Sequence, residues 1–273
     1  GARSCGVTQS AASQAVAQLE AHLDVILIDR SKRPFALTAE GRTYFEGARK
    51  ILQDYEQIAA AVRSTRTQVA GTVRVAAIYS IGLHVMSRHV QQFISRFPQA
   101  NIRLEYLQWN KVVDAVLEED ADLGILSYPK STRQIAVVPL RSEAMVFVCP
   151  PGHPLAARKQ VAAADLHGLN FVAFDPDLII RKAIDRALNH EKATPKVVME
   201  FDNIETIKQA IEVGTGVSIL PEPTVQKEVA QGSLAAVQLA LPDLVRPIGI
   251  IHRRRKRLTP AVRKFIELLK EGA

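Results

Sequence analysis

The sequence predicts an α/β protein with a partial winged helix-turn-helix head, one long helix, and a large doubly wound region of strands and helices. Three observations carry this. Ala2, Gly6, Val7, Ala12, Ala15, Val16, Leu19 and Leu23 are spaced as a short helix, a tight turn and a second helix. Phe45, Ala48, Leu52, Tyr55, Ala59 and Val62 then recur at spacings of three and four along a stretch without proline. From Gly71 onward, short apolar runs alternate with amphipathic stretches.

In the head, Gly6 falls where the turn needs a positive φ, and Thr8 is placed to cap the second helix. Ala12, Ala15, Val16, Leu19 and Leu23 share one face of that helix. Gln9, Ser10, Ser13 and Gln14 occupy the other, with amides and hydroxyls suited to base edges and phosphates. The stretch reads as half of a DNA-reading device whose leading helix is missing. Val25 to Ile28 and Phe35 to Thr38 can then pair as a hairpin, with Asp29 to Pro34 as its tip. Directly after a helix-turn-helix, such a basic tip reads as a wing, with Arg30, Lys32 and Arg33 in reach of phosphates or the minor groove.

Thr38-Ala39-Glu40-Gly41 opens the long helix, which runs to about Val69. Its seam has a period of about 3.5 residues, widened by Ile51 and Ile58 and ended by Arg63, Arg66 and Gln68. Alone in water this helix would leave apolar surface exposed, so it needs a partner. A second copy is the simplest, and its own chain's head is the alternative.

In the region that follows, TVRVAAI, NIRLEYLQW and DLGIL read as strands around helices at IGLHVMSRHVQQFISRF and KVVDAVLEED. IAVVPL and AMVFVCP lead away to a second set, with strands NFVAF, KVVMEF and GVSIL around helices LIIRKAIDRALN and IETIKQAIEV. IGIIH reads as a returning strand and TPAVRKFIELLKEG as a final helix. Continuous apolar strands alternating with helices predict a parallel sheet covered on both faces.

At 273 residues, 47% hydrophobic and 23% charged, the chain has a globular composition and the length of about two domains. No apolar run approaches the ~20 residues that span a bilayer, and no signal-peptide pattern opens the chain. Cys5 and Cys149 read as unpaired thiols in a reducing compartment, so the expected location is the cytoplasm. The net charge of +7 favours polyanionic partners.

These stretches together resemble the LysR-type transcriptional regulators along nearly the whole chain. TQSAASQAVAQLEAHLDVILIDRSKRPFALTAEG is similar to the family's recognition helix, wing and start of the linker helix, with the Leu-Glu pair, wing arginine and Leu-Thr-x-x-Gly in order. IKQAIEVGTGVSILP is similar to its late helix, paired glycines and strand ending in proline. The resemblance implies a winged helix-turn-helix over 1–38 without its first helix, a dimerising linker helix over 39–70, and an effector-binding domain over 71–273. That domain would have two lobes like type 2 periplasmic binding proteins, lobe I at about 71–141 plus 243–273 and lobe II at about 142–242. Assembly as a homodimer or homotetramer is implied, with Phe45, Ala48, Leu52, Tyr55, Ala59 and Val62 in the dimer seam. Two departures stand out. The first helix, and part of the second, would precede Gly1, so the chain reads as a fragment or trimmed product. Ser10 stands where the family often has proline, and Gln14 where arginine is common.

The expected DNA contacts are Gln9, Ser10, Ser13 and Gln14 in the major groove and Arg30 and Arg33 on the wing. For the effector, open α/β sheets bind ligands beyond the carboxyl ends of their strands. Tyr79 and Ser80 follow the first strand, and Ser80 either caps the helix beginning near Ile81 or joins an anion site there. Ser127, Tyr128, Phe174, Asp175 and Asn203 lie at equivalent ends. The resemblance places an effector carboxylate at the Ser80 turn, while Asp175 and Asp177 favour an amino or hydroxyl group beside it. Arg181 either balances a ligand carboxylate or bridges to Asp177. Glu118, Glu119, Asp120 and Asp122 straddle a helix end and are not read as a metal site, and His252 to Arg257 reads as a solvated turn. No catalytic constellation, metal site or cofactor motif is found. The expected function is effector-responsive transcription regulation through promoter DNA; the alternative is a small-molecule-binding protein of the same two-lobed fold without a DNA role.

Overall fold

A computed structural model describes residue 6 and residues 8–64, 69–82 and 86–271. Ala2, Cys5 and Val7 of the head, Arg66 and Gln68 at the end of the seam, and 83–85 of the expected helix over 81–97 lie outside the described residues. The chain divides into two units, 1–63 and 64–273.

In the first unit Gly6 has φ of 67°. Helix α1 (Gln9–Leu23) starts at Thr8, whose hydroxyl accepts from the Ala11 amide at 3.2 Å, as a helix N-cap does. Ala12, Val16 and Leu19 are half-buried, whereas Ala15 and Leu23 are exposed. Strands β1 (Ile28–Asp29) and β2 (Ala36–Leu37) form the antiparallel hairpin. They are shorter than the sequence suggested, because nearby backbone groups bond elsewhere. Glu20 accepts from the Leu27 and Ile28 amides, and Thr38 donates to the Ile26 carbonyl.

Thr38 also caps α2 (Ala39–Ser64) by accepting from the Gly41 amide at 2.9 Å. Gly41 runs against Leu27, where a Cβ would lie 1.9 Å from the carbonyl oxygen. Leu-Thr-x-x-Gly therefore joins wing to helix by one cap and one close approach. Along α2, Phe45, Ile51, Leu52, Tyr55 and Ile58 are each more than half exposed, and Ala48 and Ala59 are half-buried. The side chain of Val62 lies outside the described residues. The helix is described as far as Ser64, and Val69 and Ala70, beyond the residues outside the description, are not helical.

The second unit begins with β3 (Gly71–Ile78), the three-residue helix α3 (Tyr79–Ile81), α4 (Ser87–Arg96), β4 (Ala100–Leu107), α5 (Trp109–Leu117) and β5 (Leu123–Ser127). β3 pairs in parallel with β4 and β5. Alternation along β3 sends Val73, Val75 and Ala77 into a core with Phe93 and the final helix, and Ala76 into a second with Val112 and Val116 of α5. Both sheet faces are thereby covered.

One expectation fails here. IAVVPL and AMVFVCP are one strand, β6 (Ile135–Cys149), and the sheet is mixed. β12 (Val245–Arg253) lies antiparallel between β5 and β6. The polar Arg141-Ser142-Glu143 divides the two apolar runs, and the exposed Pro139 of the first faces Gly249, where the register shifts and Leu140 is the extra residue. A bulge tolerates the missing amide of proline. Beyond it β6 pairs antiparallel with β10 (Ser218–Pro221) and β11 (Ala235–Leu239) over a third core.

That core also holds β8 (Asn170–Phe174), α6 (Ile179–His190), α7 (Ile204–Glu212) and residues flanking α8 (Gln226–Gln231); β8 pairs in parallel with β9 (Lys196–Phe201). Short β7 (Gln160–Val161) pairs with β11, and α9 (Pro260–Glu271) closes the chain. The sequence reading missed β11 and α8. Buried Lys208 of α7 ties to α8 through Glu228 at 2.9 Å. β6 and the start of β12 thus connect the core at the β3 end with the core around β8.

Candidate functional site

On the reading head, Gln9, Ser10, Ser13 and Gln14 are all exposed on α1. The Ser10 hydroxyl lies 3.0 Å from that of Thr8. Arg30 donates to Glu20 at 2.8 Å and is half exposed. Hydrogen bonds from the Leu27 and Ile28 amides, aided by Arg30, hold the Glu20 carboxyl below its ordinary value. Asp29 accepts from the Ser31 amide and pairs with Lys32 at 3.4 Å, shaping the wing tip. Arg33 is exposed at that tip. The head thus presents a polar helix face and, separately, a braced basic loop.

In the second unit a cavity of about 1120 Å³ opens beyond the ends of β3, β4, β5 and β8. Tyr79, Ser80, Ser127, Phe174, Asp175 and Asn203 of the expected effector residues line it together. Tyr128 is not on that wall. It has φ of 52°, its hydroxyl donates to the Val245 carbonyl at 3.3 Å, and it packs against the core around β8. Three helices of eight residues or more begin at the cavity: α5 at Gln108, α6 at Leu178 and α7 at Asn203. Asn203 caps its helix by accepting from the Thr206 amide, whereas Gln108 and Leu178 make no side-chain cap bond. The start of α6 therefore has no side-chain cap, an arrangement that favours anions, whereas in the first turn of α5 the Asn110 side chain accepts from the Lys111 amide at 2.9 Å.

Ser80 does not cap a helix. α3 begins one residue earlier, at Tyr79, with no side-chain cap, and the Ser80 hydroxyl instead accepts from Arg246 Nη1 at 3.0 Å. Arg246 is 2% exposed, lies on β12 and reaches the cavity wall. Its Nε donates to Glu143 Oε2 at 2.8 Å, and Arg141 Nη2 holds the other carboxylate oxygen at 2.7 Å. Burial pulls the Arg246 guanidinium below its ordinary value despite Glu143. The sequence reading missed Arg246. Its signal was one arginine inside an otherwise apolar returning strand, VRPIGIIH.

Tyr106, Gln108, Trp109 and Lys111 were also missed and line the same wall. Trp109 donates to the Ser127 carbonyl at 3.2 Å, and the Tyr106 and Tyr79 rings lie 6.1 Å apart. Gly82 admits Tyr106, because a Cβ at that glycine would fall 1.9 Å from the ring. Across the cavity stand Asp175, Asp177, Asp202 and Glu205. Gln108 Nε2 reaches Asp202 Oδ2 at 3.5 Å between the two sides. The cavity is cationic at Arg246 and Lys111, acidic along the opposite rim, and aromatic between them.

Two charged features resolve differently from their sequence readings. Arg181 binds Asp185 and Glu200 at 2.8 and 2.7 Å, and the Phe174 carbonyl, rather than Asp177. Asp177 follows the Asp175 side chain in a turn, with its amide donating to Asp175 at 2.9 Å. The run His252 to Arg257 is not simply a solvated turn. Arg253 pairs with Glu119, and Lys256 reaches Asp122 at 3.1 Å, so acidic and basic stretches partner each other. No group of three or more metal-ligating side chains occurs among the described residues. None of their helices is long and apolar enough to cross a membrane.

The profile described as LysR substrate binding domain matches residues 66–273, and that described as bacterial regulatory helix-turn-helix protein, lysR family, matches residues 1–42. The chain is 28% identical over 261 residues to the HTH-type transcriptional regulator YeiE of Escherichia coli strain K12, covering 96% of this chain and 87% of that one. It superposes on the crystal structure of CbnR, a LysR family transcriptional regulator, with TM-score 0.73 and 20% identity, covering 100% of this chain and 92% of the other. The CcmR regulatory domain of Synechocystis PCC6803, solved in complex with 2-PG, gives TM-score 0.67 at 22% identity and covers 74% and 96% of the two chains.

Proposed function

This chain belongs to the LysR family of transcriptional regulators, and from that premise we propose that a small organic acid in the cavity of the second unit sets how the head engages promoter DNA. The observation that carries the proposal is the cavity of about 1120 Å³, with buried Arg246 on one wall and four carboxylates on the other. A cationic pole favours a carboxylate or phosphate, while the acidic rim disfavours a second anion and suits hydroxyl or amino groups. Tyr79, Tyr106, Trp109 and Phe174 offer apolar faces to the carbon skeleton between these poles. The likeness to a regulatory domain solved with 2-PG supports a small-molecule ligand.

On the head, Gln9, Ser10, Ser13 and Gln14 read base edges and Arg30 and Arg33 hold phosphates. The exposed stripe of Phe45, Leu52 and Tyr55 along α2, with half-buried Ala48 and Ala59, supports pairing with a second copy. The chain acts as a regulator in the cytoplasm rather than as an enzyme. Its domains divide near 38 and 70, and the effector-binding part divides into lobes near 141 and 242.

A salt titration of binding to the DNA upstream of its own gene tests the DNA half. Affinity should prefer that sequence and fall linearly with the logarithm of salt concentration. Binding equally well to unrelated DNA would overturn base reading by α1. Thermal unfolding against a panel of small acids tests the ligand half, since a ligand specific for the folded state raises the midpoint.

A further inference from the structure

We propose that four arginines of the second unit, Arg133, Arg254, Arg255 and Arg257, form a second phosphate-binding surface that holds duplex DNA outside the sequence read by the head. This rests on the reading of the head as a DNA binder and adds a contact that carries no base preference.

Two turns bring these residues together. The ladder between β6 and β12 ends on the pair Ile135 and Arg253, and the Arg254 amide extends it by donating to the Gln134 carbonyl at 2.7 Å. Amide-to-carbonyl bonds of 3.1 Å close one turn over 132–135 and another over 253–256, so Arg133 stands at one tip and Arg255 at the other. Arg254 clasps the turns. Its Nη2 donates to the Ser131 hydroxyl at 2.7 Å and to the Thr132 and Ile135 carbonyls at 3.1 Å. All of those oxygens are neutral, so they leave its charge uncompensated. Arg133, Arg255 and Arg257 are exposed and make no ion pair among the described residues. The neighbouring acids are already taken, Glu119 by Arg253 and Lys256, and Asp122 by Arg74 and Lys256.

Guanidinium groups suit phosphate, which they hold through two parallel N–H bonds. None of the exposed large hydrophobic side chains of the described residues falls within 130–134 or 253–257. A protein partner or a membrane surface is gripped through such anchors, whereas a DNA backbone needs none. Place supports the same partner. Lys256 reaches Asp122 just before β5, and Ser127 at the far end of β5 lines the cavity, so patch and cavity occupy opposite ends of that strand. Asp122 also binds Arg74 near the start of β3, where residues 65–70 join the second unit to α2. DNA held by the head is tethered through that short connection to the end of the sheet that carries the patch, which raises its effective concentration there.

The test is a salt titration of the full chain on a long duplex carrying the DNA upstream of its gene and on an unrelated duplex of equal length. Arg133→Gln, Arg255→Gln and Arg257→Gln together should lower the salt slope by about two to three on both duplexes and leave the preference between them unchanged. Lys159→Gln, Lys192→Gln and Lys227→Gln together remove the same charge from exposed positions elsewhere and should leave the slope as it was. Base preference reports the head and the slope reports the patch, so each can fail alone. A wild type without preference, whose slope still falls in the arginine variant, would overturn base reading by the head and uphold the patch. An unchanged slope in the arginine variant, an equal drop in the lysine variant, or no binding to either duplex at low salt would overturn the patch. So would polyglutamate bound more tightly than the unrelated duplex at equal salt and lost in the arginine variant, since that assigns the surface to an acidic protein.

Discussion

Gly41 meets the backbone of Leu27 so closely that a methyl group on it would lie 1.9 Å from the Leu27 carbonyl oxygen. The atom in the way is backbone and cannot swing aside. Gly41→Ala should therefore force wing and helix apart, destabilising the first unit by about 1–3 kcal/mol. Thr38→Ala removes the cap at that junction and should cost about 1 kcal/mol. Denaturant unfolding followed by limited proteolysis within residues 6–63 measures both. An alanine at 41 with unchanged protection would refute the contact.

Arg33 and Arg30 differ in their attachments. Arg30 is tied to Glu20, whereas Arg33 is exposed at the wing tip. Arg33→Ala should weaken binding to all DNA sequences alike and reduce the salt slope by about one. Anisotropy titrations on two unrelated duplexes at several salt concentrations measure this. An unchanged slope would remove Arg33 from the phosphate contacts.

The head was the most legible part of the sequence, because its signals are local. Thr8 and Thr38 cap the helices they precede, and Gly6 takes the positive φ its turn requires. The strands around α5 to α7 were equally readable from apolar runs bounded by helices. Less legible was whatever depends on pairing across the chain. The polar Arg141-Ser142-Glu143 made β6 look like two strands, since its pairing with β12 across the chain cannot be seen in one strand's sequence. The basic run near 254 looked solvated because its partners, Glu119 and Asp122, lie in the acidic run more than 130 residues earlier. Ser80 was placed at the right wall with the wrong bond, because its donor lies 166 residues away.

Asp122 gives the protein an acid limit. Burial pushes its carboxyl up, but Arg74 at 2.8 Å and Lys256 at 3.1 Å outweigh this and hold it below its ordinary 3.8. A carboxylate with a lowered folded-state value contributes stability that is complete above the unfolded value and lost as pH falls through the folded one. Asp122→Asn should therefore lower the melting midpoint at neutral pH, and its gap to wild type should close below about pH 4. A gap independent of pH would mean that the Asp122 charge contributes nothing.

Cys149 has 0% exposure in β6, and burial pushes its thiol up to about 11. Only thiolate reacts with an alkylating agent, so in native protein at pH 8 this residue should stay unlabelled while denatured protein labels fully. Peptide mass spectrometry separates it from Cys5. Rapid native labelling at Cys149 would show that the core around β8 opens readily.

The central claim is that cavity and DNA-reading head share one equilibrium. The direct measurement is the dissociation constant of a small acid from the panel, read by Trp109 fluorescence with and without saturating promoter DNA. Linkage requires the ratio of those two constants to equal the factor by which the acid changes DNA affinity. The account predicts a ratio different from one and matched in both directions. Identical constants with and without DNA would contradict it.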